Sequence, residues 1–464
     1  MTRIFTGVLL LMSLAGLKAD ELVLAGGSAI NPADGKVLQD ATIWIENGKI
    51  ERIEPGGHPA GGARTVDCRG KFVLPGLCDA HVHFFQSADL FTRPDIADLT
   101  KIRPYSEEAS WVKSHVDDVF ARYLRCGITS VVDVGGPFWN FEVRKRANAS
   151  AKAPRVAVAG PLISSVARPQ LDLGDPPIVK IDTPDQAREF VARLAVQHPD
   201  LVKIWYIVDQ DHPIESFRPV VRATIQESHR RGLRVAVHAT ELETARASVE
   251  EGADVLVHSV VDKPVDDRFV GLLKEKGTIL CPTLVVFERY GRTFANKLNL
   301  TGEEKAWGNP EVIDTLDVKK IPREQLPDRI RTALADSDAA LNRIKSVYDV
   351  ALKNLNTLQN AGVTIAAGTD AGNIGTIHGP ALFREFQLMK EAGLTPLQIL
   401  QDATVNAARL FGGETGARLG ALKIGNLADL VILNANPLDD ISRTSDIDAV
   451  IENGTLYPAK SLLP

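Results

Sequence analysis

The chain has 464 residues, 44% of them hydrophobic and 24% charged, an ordinary balance for a globular protein. Its 53 Lys and Arg against 59 Asp and Glu leave a formal net charge of -6, so it carries no basic footprint for nucleic acid or an anionic membrane surface. A small neutral or mixed-charge molecule is the expected partner. The four cysteines (Cys68, Cys78, Cys126, Cys281) are too few and too scattered for a disulfide framework, and Cys126 and Cys281 read as buried thiols.

Residues 1–19 read as a secretory signal peptide. Arg3 supplies the positive start, Ile4 to Leu17 is nearly all apolar, and Ala19 offers a small residue at the cleavage point. The apolar run is short for a membrane span, and no cysteine follows it to carry a lipid. The expectation is an exported protein, periplasmic or secreted, free of the membrane after cleavage.

Short strands come next. Leu22–Ala25, Ala41–Ile45 and Lys49–Ile53 are separated by turn residues, with Asn47-Gly48 a strong hairpin signal. The other end of the chain repeats the style in Ala428–Leu433 and Ile447–Thr455. A short N-terminal sheet has little core of its own. Residues 20–73 and 413–464 are therefore expected to pair into one small β-domain flanking residues 74–412.

That middle part alternates apolar runs with helical patterns, the signature of parallel βα units. Eight runs follow the Pro75-Gly76 turn: Gly76–Ala80, Ile128–Val134, Arg155–Ala159, Leu201–Ile207, Arg234–Val237, Val255–Val257, Ile279–Val286 and Thr364–Ala367. Helices are expected over Glu107–Arg125, Pro184–Val196 and Glu215–Arg231. Eight units fit an α/β fold of the TIM (β/α)8 type, with its active site at the carboxyl ends of the strands. Residues 288–342 are too long for a βα loop and read as a lid-like insertion.

The strand ends carry the chemistry. The first run ends in His81 and His83, which share one face because residues i and i+2 of a strand point the same way. Run four holds Lys203 within Leu-Val-Lys-Ile-Trp, run five ends at His238, run six at His258 and run eight at Asp370. Two imidazoles side by side make half a site for zinc or a similar metal. A buried lysine is costly when charged. It escapes by losing its proton or by reacting with carbon dioxide to an anionic carbamate.

The order HxH, Lys, His, His, Asp, with Leu74-Pro75-Gly76-Leu77 before the histidines and Gly368-Thr369-Asp370-Ala371 at the end, resembles the amidohydrolase superfamily. Ala403–Ala408 and Leu419–Leu430 match its closing segments, and the chain is similar to the branch with imidazolonepropionase and the Xaa-Pro and Xaa-Arg dipeptidases. The resemblance implies a barrel with a composite β-sandwich built by both chain ends. It also implies two divalent metal ions, zinc expected, held by His81, His83, N6-carboxylated Lys203, His238, His258 and Asp370. Asp370 would act as general base and then acid while a metal-bound hydroxide attacks the amide carbonyl. The expected substrate is a dipeptide or an N-acyl amino acid.

An alternative stays open: a mononuclear site of His81, His83, His238 and Asp370, with Lys203 merely snorkelling, in a hydrolase or deaminase of a cyclic amide or amidine. His378, in the family's His-Gly position, and Tyr206, beside Lys203, are candidate substrate contacts. Arg168, Arg289, Tyr290 and Arg292 are candidates to grip a substrate carboxylate. The number of chain copies in the working protein is left open, homo-oligomer included.

Overall fold

The computed structural model describes residues 22–57 and 63–463. The leader read at residues 1–19 and His58 lie outside the described residues.

Five strands open the fold: β1 (Leu22–Asn31), β2 (Lys36–Glu46), β3 (Lys49–Pro55), β4 (Arg64–Asp67) and β5 (Phe72–Pro75). Asn47 and Gly48 both have positive φ (53° and 71°), the geometry of a tight hairpin turn between β2 and β3. The middle supplies parallel strands: β6 (Leu77–Val82), β7 (Ile128–Asp133), β8 (Arg155–Val158), β9 (Leu162–Ser164), β10 (Ile178–Lys180), β11 (Leu201–Trp205), β12 (Arg234–His238), β13 (Val255–Val257) and β14 (Ile279–Cys281). The chain ends with β15 (Leu430–Leu433), β16 (Ile447–Glu452) and β17 (Thr455–Pro458).

Both ends enter one eight-stranded sheet, in the order β17-β16-β15-β5-β1-β2-β3 with β4 also on β1. The seam is β5, which pairs with β1 on one side and with β15 on the other. Asn453 and Gly454 make a second hairpin turn (φ 49° and 77°), splitting what reads in the sequence as one run, 447–455, into β16 and β17. An apolar core of residues from both ends, among them Leu24, Ile43, Ile45, Leu430 and Ile451, holds the sheet.

The fold is α/β. The parallel strands form a three-stranded sheet, β6-β7-β8, and a six-stranded one, β10-β9-β11-β12-β13-β14. Residues 364–371 run between β14 and β6: Ala366 N donates to Leu280 O, Ala80 N to Ala367 O and Asp370 N to His81 O. At the other seam Asp200 N donates to Val158 O, joining the end of β8 to the start of β11.

Several expected elements are redrawn. Glu107–Arg125 is two helices, Tyr105–Ser114 and Val116–Arg125, because His115 folds back so that both its backbone N and its ring Nδ1 lie on Trp111 O. Run seven ends at Cys281. Pro282 carries no N–H, Thr283 is left-handed (φ 45°), and a helix, Leu284–Phe294, begins at once. The Glu385 carboxylate accepts the N–H groups of Leu284 and Val285 at 2.9 and 2.7 Å, a capping partner from a distant helix. Run eight stays irregular, with only Ile365 bridging Leu280. The short strands β9 and β10 have no counterpart among the eight runs.

Residues 288–342 are largely helical, with helices Gly302–Trp307, Pro310–Thr315 and Asp328–Ala335 leading into Ser337–Asn360. Their apolar side chains share a core with Leu90, Leu99, Ile374 and Ile377, so the insertion sits over the loops that follow β6 and Asp370. Among the described residues no helix is long and apolar enough to cross a membrane. All four cysteines are free and buried.

Candidate metal centre and active site

At the carboxyl end of β6, alternation sends Asp79, His81 and His83 to one side. His81 Nε2 lies 3.3 Å from His83 Nε2, and the two stand 3.3 and 3.0 Å from Asp370 Oδ1. His258 closes on the group, its ring centroid 5.1 Å from His81 and 4.5 Å from His238. Lys203, His83, His238 and His258 all line one small cavity of about 40 Å³. The six predicted ligands are thus brought to one place, although only His81, His83 and Asp370 converge tightly, their donor atoms within 4.8 Å of one another.

Several backbone features are strained to this end. His258 and Asp370 have positive φ (77° and 62°), as does Thr283, whose hydroxyl lies 2.7 Å from His258 Nδ1. Gly368 has no room for a side chain: a Cβ there would come within 2.8 Å of His81 N and 2.6 Å of Cys281 Sγ.

The donor set fits a cation. Burial, and then the Lys203 charge, push His81 and His238 far below the ordinary imidazole range. Burial and then the neighbouring His238 do the same to His258. Neutral imidazoles have lone pairs to give. His83 Nδ1 lies 2.7 Å from Gly135 O, which can only accept, so this nitrogen carries the proton and Nε2 is free to ligate. His81 Nδ1 has no hydrogen-bond partner, so His81 is free to take the tautomer that bares Nε2, and Nε2 of both histidines and Asp370 Oδ1, within 3.3 Å of each other, can then face one cation. Burial lowers the Lys203 amine to about 7, outweighing the attraction of Asp370.

Three further residues complete the site. Asp79 is wholly buried. It accepts from Thr369 N and Oγ1 at 3.0 and 2.6 Å and from His81 N at 3.3 Å, tying the Asp370 turn to β6. Burial raises its carboxyl to about 7. Asn373 Nδ2 donates to Asp370 Oδ1 at 2.7 Å. Its own Oδ1 accepts from Arg93 Nη1 at 2.8 Å and from the Tyr290 hydroxyl at 2.6 Å, and because Arg93 can only donate, the amide is oriented unambiguously. Arg93 also lines the cavity and is held by Asp95 through two hydrogen bonds of 2.8 and 2.7 Å. Asp79 was not singled out from the sequence, although its place two residues before His81 signals it. Nothing in the sequence marks Arg93, and Asn373 is signalled only by its place three residues after Asp370.

Other predicted contacts are placed elsewhere. Tyr206 does not line the cavity: it is buried against Phe217, and its hydroxyl donates to Ile214 O. Lys203 and Trp205 share the cavity face of β11, so Tyr206 falls on the opposite side. His378 is buried under Phe84, with Nδ1 2.8 Å from the Tyr123 hydroxyl and Nε2 2.9 Å from Gln86 O. Both ring nitrogens are occupied, which makes it a packing residue behind the cavity. Arg289 is spent on a buried bidentate pair with Glu304, and Arg292 pairs with Glu288. Arg168 stacks 4.9 Å over Trp205 at the cavity wall.

The amidohydrolase family profile matches residues 72–457. Ochratoxinase from Aspergillus niger is 25% identical over 472 aligned positions, covering 93% of this chain and 86% of that protein. Its crystal structure superimposes with a TM-score of 0.72 at 21% identity, covering 95% of this chain and 96% of that one. A crystal structure of a Xaa-Pro dipeptidase with methionine bound in its active site superimposes with a TM-score of 0.70 at 23% identity, covering 94% of this chain and all of that one.

Proposed function

This chain belongs to the amidohydrolase family and is a hydrolase acting on C–N bonds, and from that premise we propose that it cleaves the amide bond of a dipeptide or an N-acyl amino acid in a metal-dependent reaction. The observation that carries the reading is the convergence of His81 Nε2, His83 Nε2 and Asp370 Oδ1 beside the buried Lys203. The names of the similar proteins, a dipeptidase among them, agree with an amide in a small molecule. We read the hydrogen bonds at both seams of the parallel sheets as closure of an eight-stranded barrel, which would set the site at its carboxyl end.

A Lys203 amine near neutrality is nucleophilic toward carbon dioxide: nitrogen bonds to carbon, a proton leaves, and a carbamate remains. His81, His83, His238, His258, Asp370 and that carbamate would hold two divalent cations, zinc expected, which supply an acidified water and polarise the substrate carbonyl. Asp370 does the proton work. Its Oδ1 is engaged by Asn373 and faces the histidines, so Oδ2 takes the proton of the attacking water and returns it to the leaving nitrogen. On the leader read at residues 1–19 we place the activity in the periplasm or outside the cell.

A second reading, a mononuclear hydrolase of a cyclic amide, draws on the fact that only His81, His83 and Asp370 converge tightly. Metal stoichiometry separates the two. About two metals per chain, falling in Lys203→Ala, with turnover of a dipeptide mixture, is the expected result. About one metal, indifferent to Lys203, would overturn the carbamate-bridged site and put the cyclic amide first.

A further inference from the structure

The cavity at the metal centre, about 40 Å³, is far smaller than a dipeptide. Some wall must give way. Phe85, two residues beyond His83, stands edge-on to its ring at 5.7 Å and is nearly buried. On its other side lies a second cavity of about 70 Å³, and Phe85 is the one residue the two linings share. The wall between them is continuous apolar packing. Leu162 and Ile178, on the metal side, form one cluster with Tyr105 and Leu171, on the far side.

The far cavity is apolar and partly aromatic, with Trp139 and Tyr105 among its walls. Its one lining carboxylate, Asp175, is consumed by the N–H groups of Phe138 and Trp139 at 3.0 and 2.9 Å. Its one lining ammonium, Lys113, sits 5.4 Å over the Trp139 ring. At the rim Leu173 is 53% exposed, an uncovered apolar side chain where the cavity meets solvent. A slot with aromatic walls, whose carboxylate is hydrogen-bonded to backbone and whose ammonium lies over an indole, suits a flat apolar group.

We propose that this second cavity is the subsite for an apolar, preferentially aromatic, side chain of the substrate, and that Phe85 is the specificity-determining residue whose rotation joins it to the metal centre. The inference rests on the amide-hydrolase reading for the identity of the substrate, and adds which dipeptides or N-acyl amino acids are taken.

The test uses free L-phenylalanine and L-alanine, which offer no bond to cleave, titrated calorimetrically into the metal-loaded protein. Phenylalanine should bind about tenfold tighter or more, as burial of a phenyl group dictates. Ala109→Phe, which fills the far cavity from the partly exposed helix Tyr105–Ser114, should cut the phenylalanine-to-alanine affinity ratio about fivefold or more. Leu171→Trp should do the same from the opposite wall, with metal content and melting temperature reporting that each variant is folded. Equal affinities for the two amino acids, no binding of phenylalanine, or an unchanged ratio in both variants overturns the subsite. Failure of the hydrolase reading gives a different result: phenylalanine keeps its preference while no dipeptide is turned over.

Discussion

Asp370 presents its two oxygens to different surroundings, and that asymmetry makes its role testable. With Oδ1 committed to Asn373 and the histidines, an Asp370→Asn variant loses the proposed proton acceptor while keeping the shape. Turnover is expected to fall about 10²- to 10⁴-fold with KM little changed; steady-state kinetics on the metal-loaded variant would show it, and unchanged turnover would end the role. Asn373 acts one step removed, as a positioning residue. Asn373→Ala releases the carboxylate and leaves Arg93 Nη1 and the Tyr290 hydroxyl without their common acceptor. The expected outcome is a kcat lowered about tenfold or more with metal content intact; loss of metal in step with activity would instead make Asn373 a scaffold for the centre. At this scale the sequence was legible where spacing alone decides, as in His81-x-His83. It misled at Tyr206, where the parity of the strand counts and proximity to Lys203 does not, and it was silent at Arg93, whose loop has no periodicity to read.

Elements were legible where the pattern is local and lost where a distant group decides. The Asn47-Gly48 turn lies where its dipeptide says, whereas run seven breaks after Cys281 because Glu385, about a hundred residues on, caps the following helix. The segment Ala403–Ala408 belongs to another such case. Asp402–Asn406 is a π-helical turn, and Asp402 O accepts from Ala367 N, pinning the irregular eighth run. The Asp402 carboxyl is buried with a single donor, Asn406 Nδ2 at 3.0 Å, and Oδ2 has no partner. Burial raises it well above the ordinary carboxylate range. The native state therefore holds a proton that the unfolded chain releases near pH 4, so stability falls as pH rises from there toward the native value. Asp402→Asn keeps the acceptor and removes that proton. Its melting temperature, relative to the parent protein, should rise between pH 5 and pH 8; a difference that is flat or reversed would mean the carboxyl ionises in place without cost.

Across the whole molecule, the two ends of the chain meet at β5, and Arg155 at the start of β8 holds Asp429 beside β15 through hydrogen bonds of 2.6 and 3.1 Å. The composite sheet was readable from the matching style of the two ends, but its seam was not, because strand pairing across more than 350 residues leaves no local mark. The proposed metal centre would be a second long-range tie. The ligands proposed for it come from β6, β11, β12, the turn after β13 and the turn at Asp370, so a cation there would join segments spanning residues 81 to 370, with no counterpart in the unfolded chain. Without it, His81 Nε2, His83 Nε2 and Asp370 Oδ1 crowd within 3.3 Å of one another in a buried space. At a metal concentration about a thousandfold above the dissociation constant, binding adds about 4 kcal/mol to native stability. Chelation should therefore lower the melting temperature by about 5 °C, reversibly on return of zinc. If Lys203 is the bridging carbamate proposed above, the shift should be smaller in Lys203→Ala, which leaves fewer ligands. A chelator that strips the metal, confirmed by elemental analysis, yet leaves the melting temperature in place would show that the five segments are held by their packing alone.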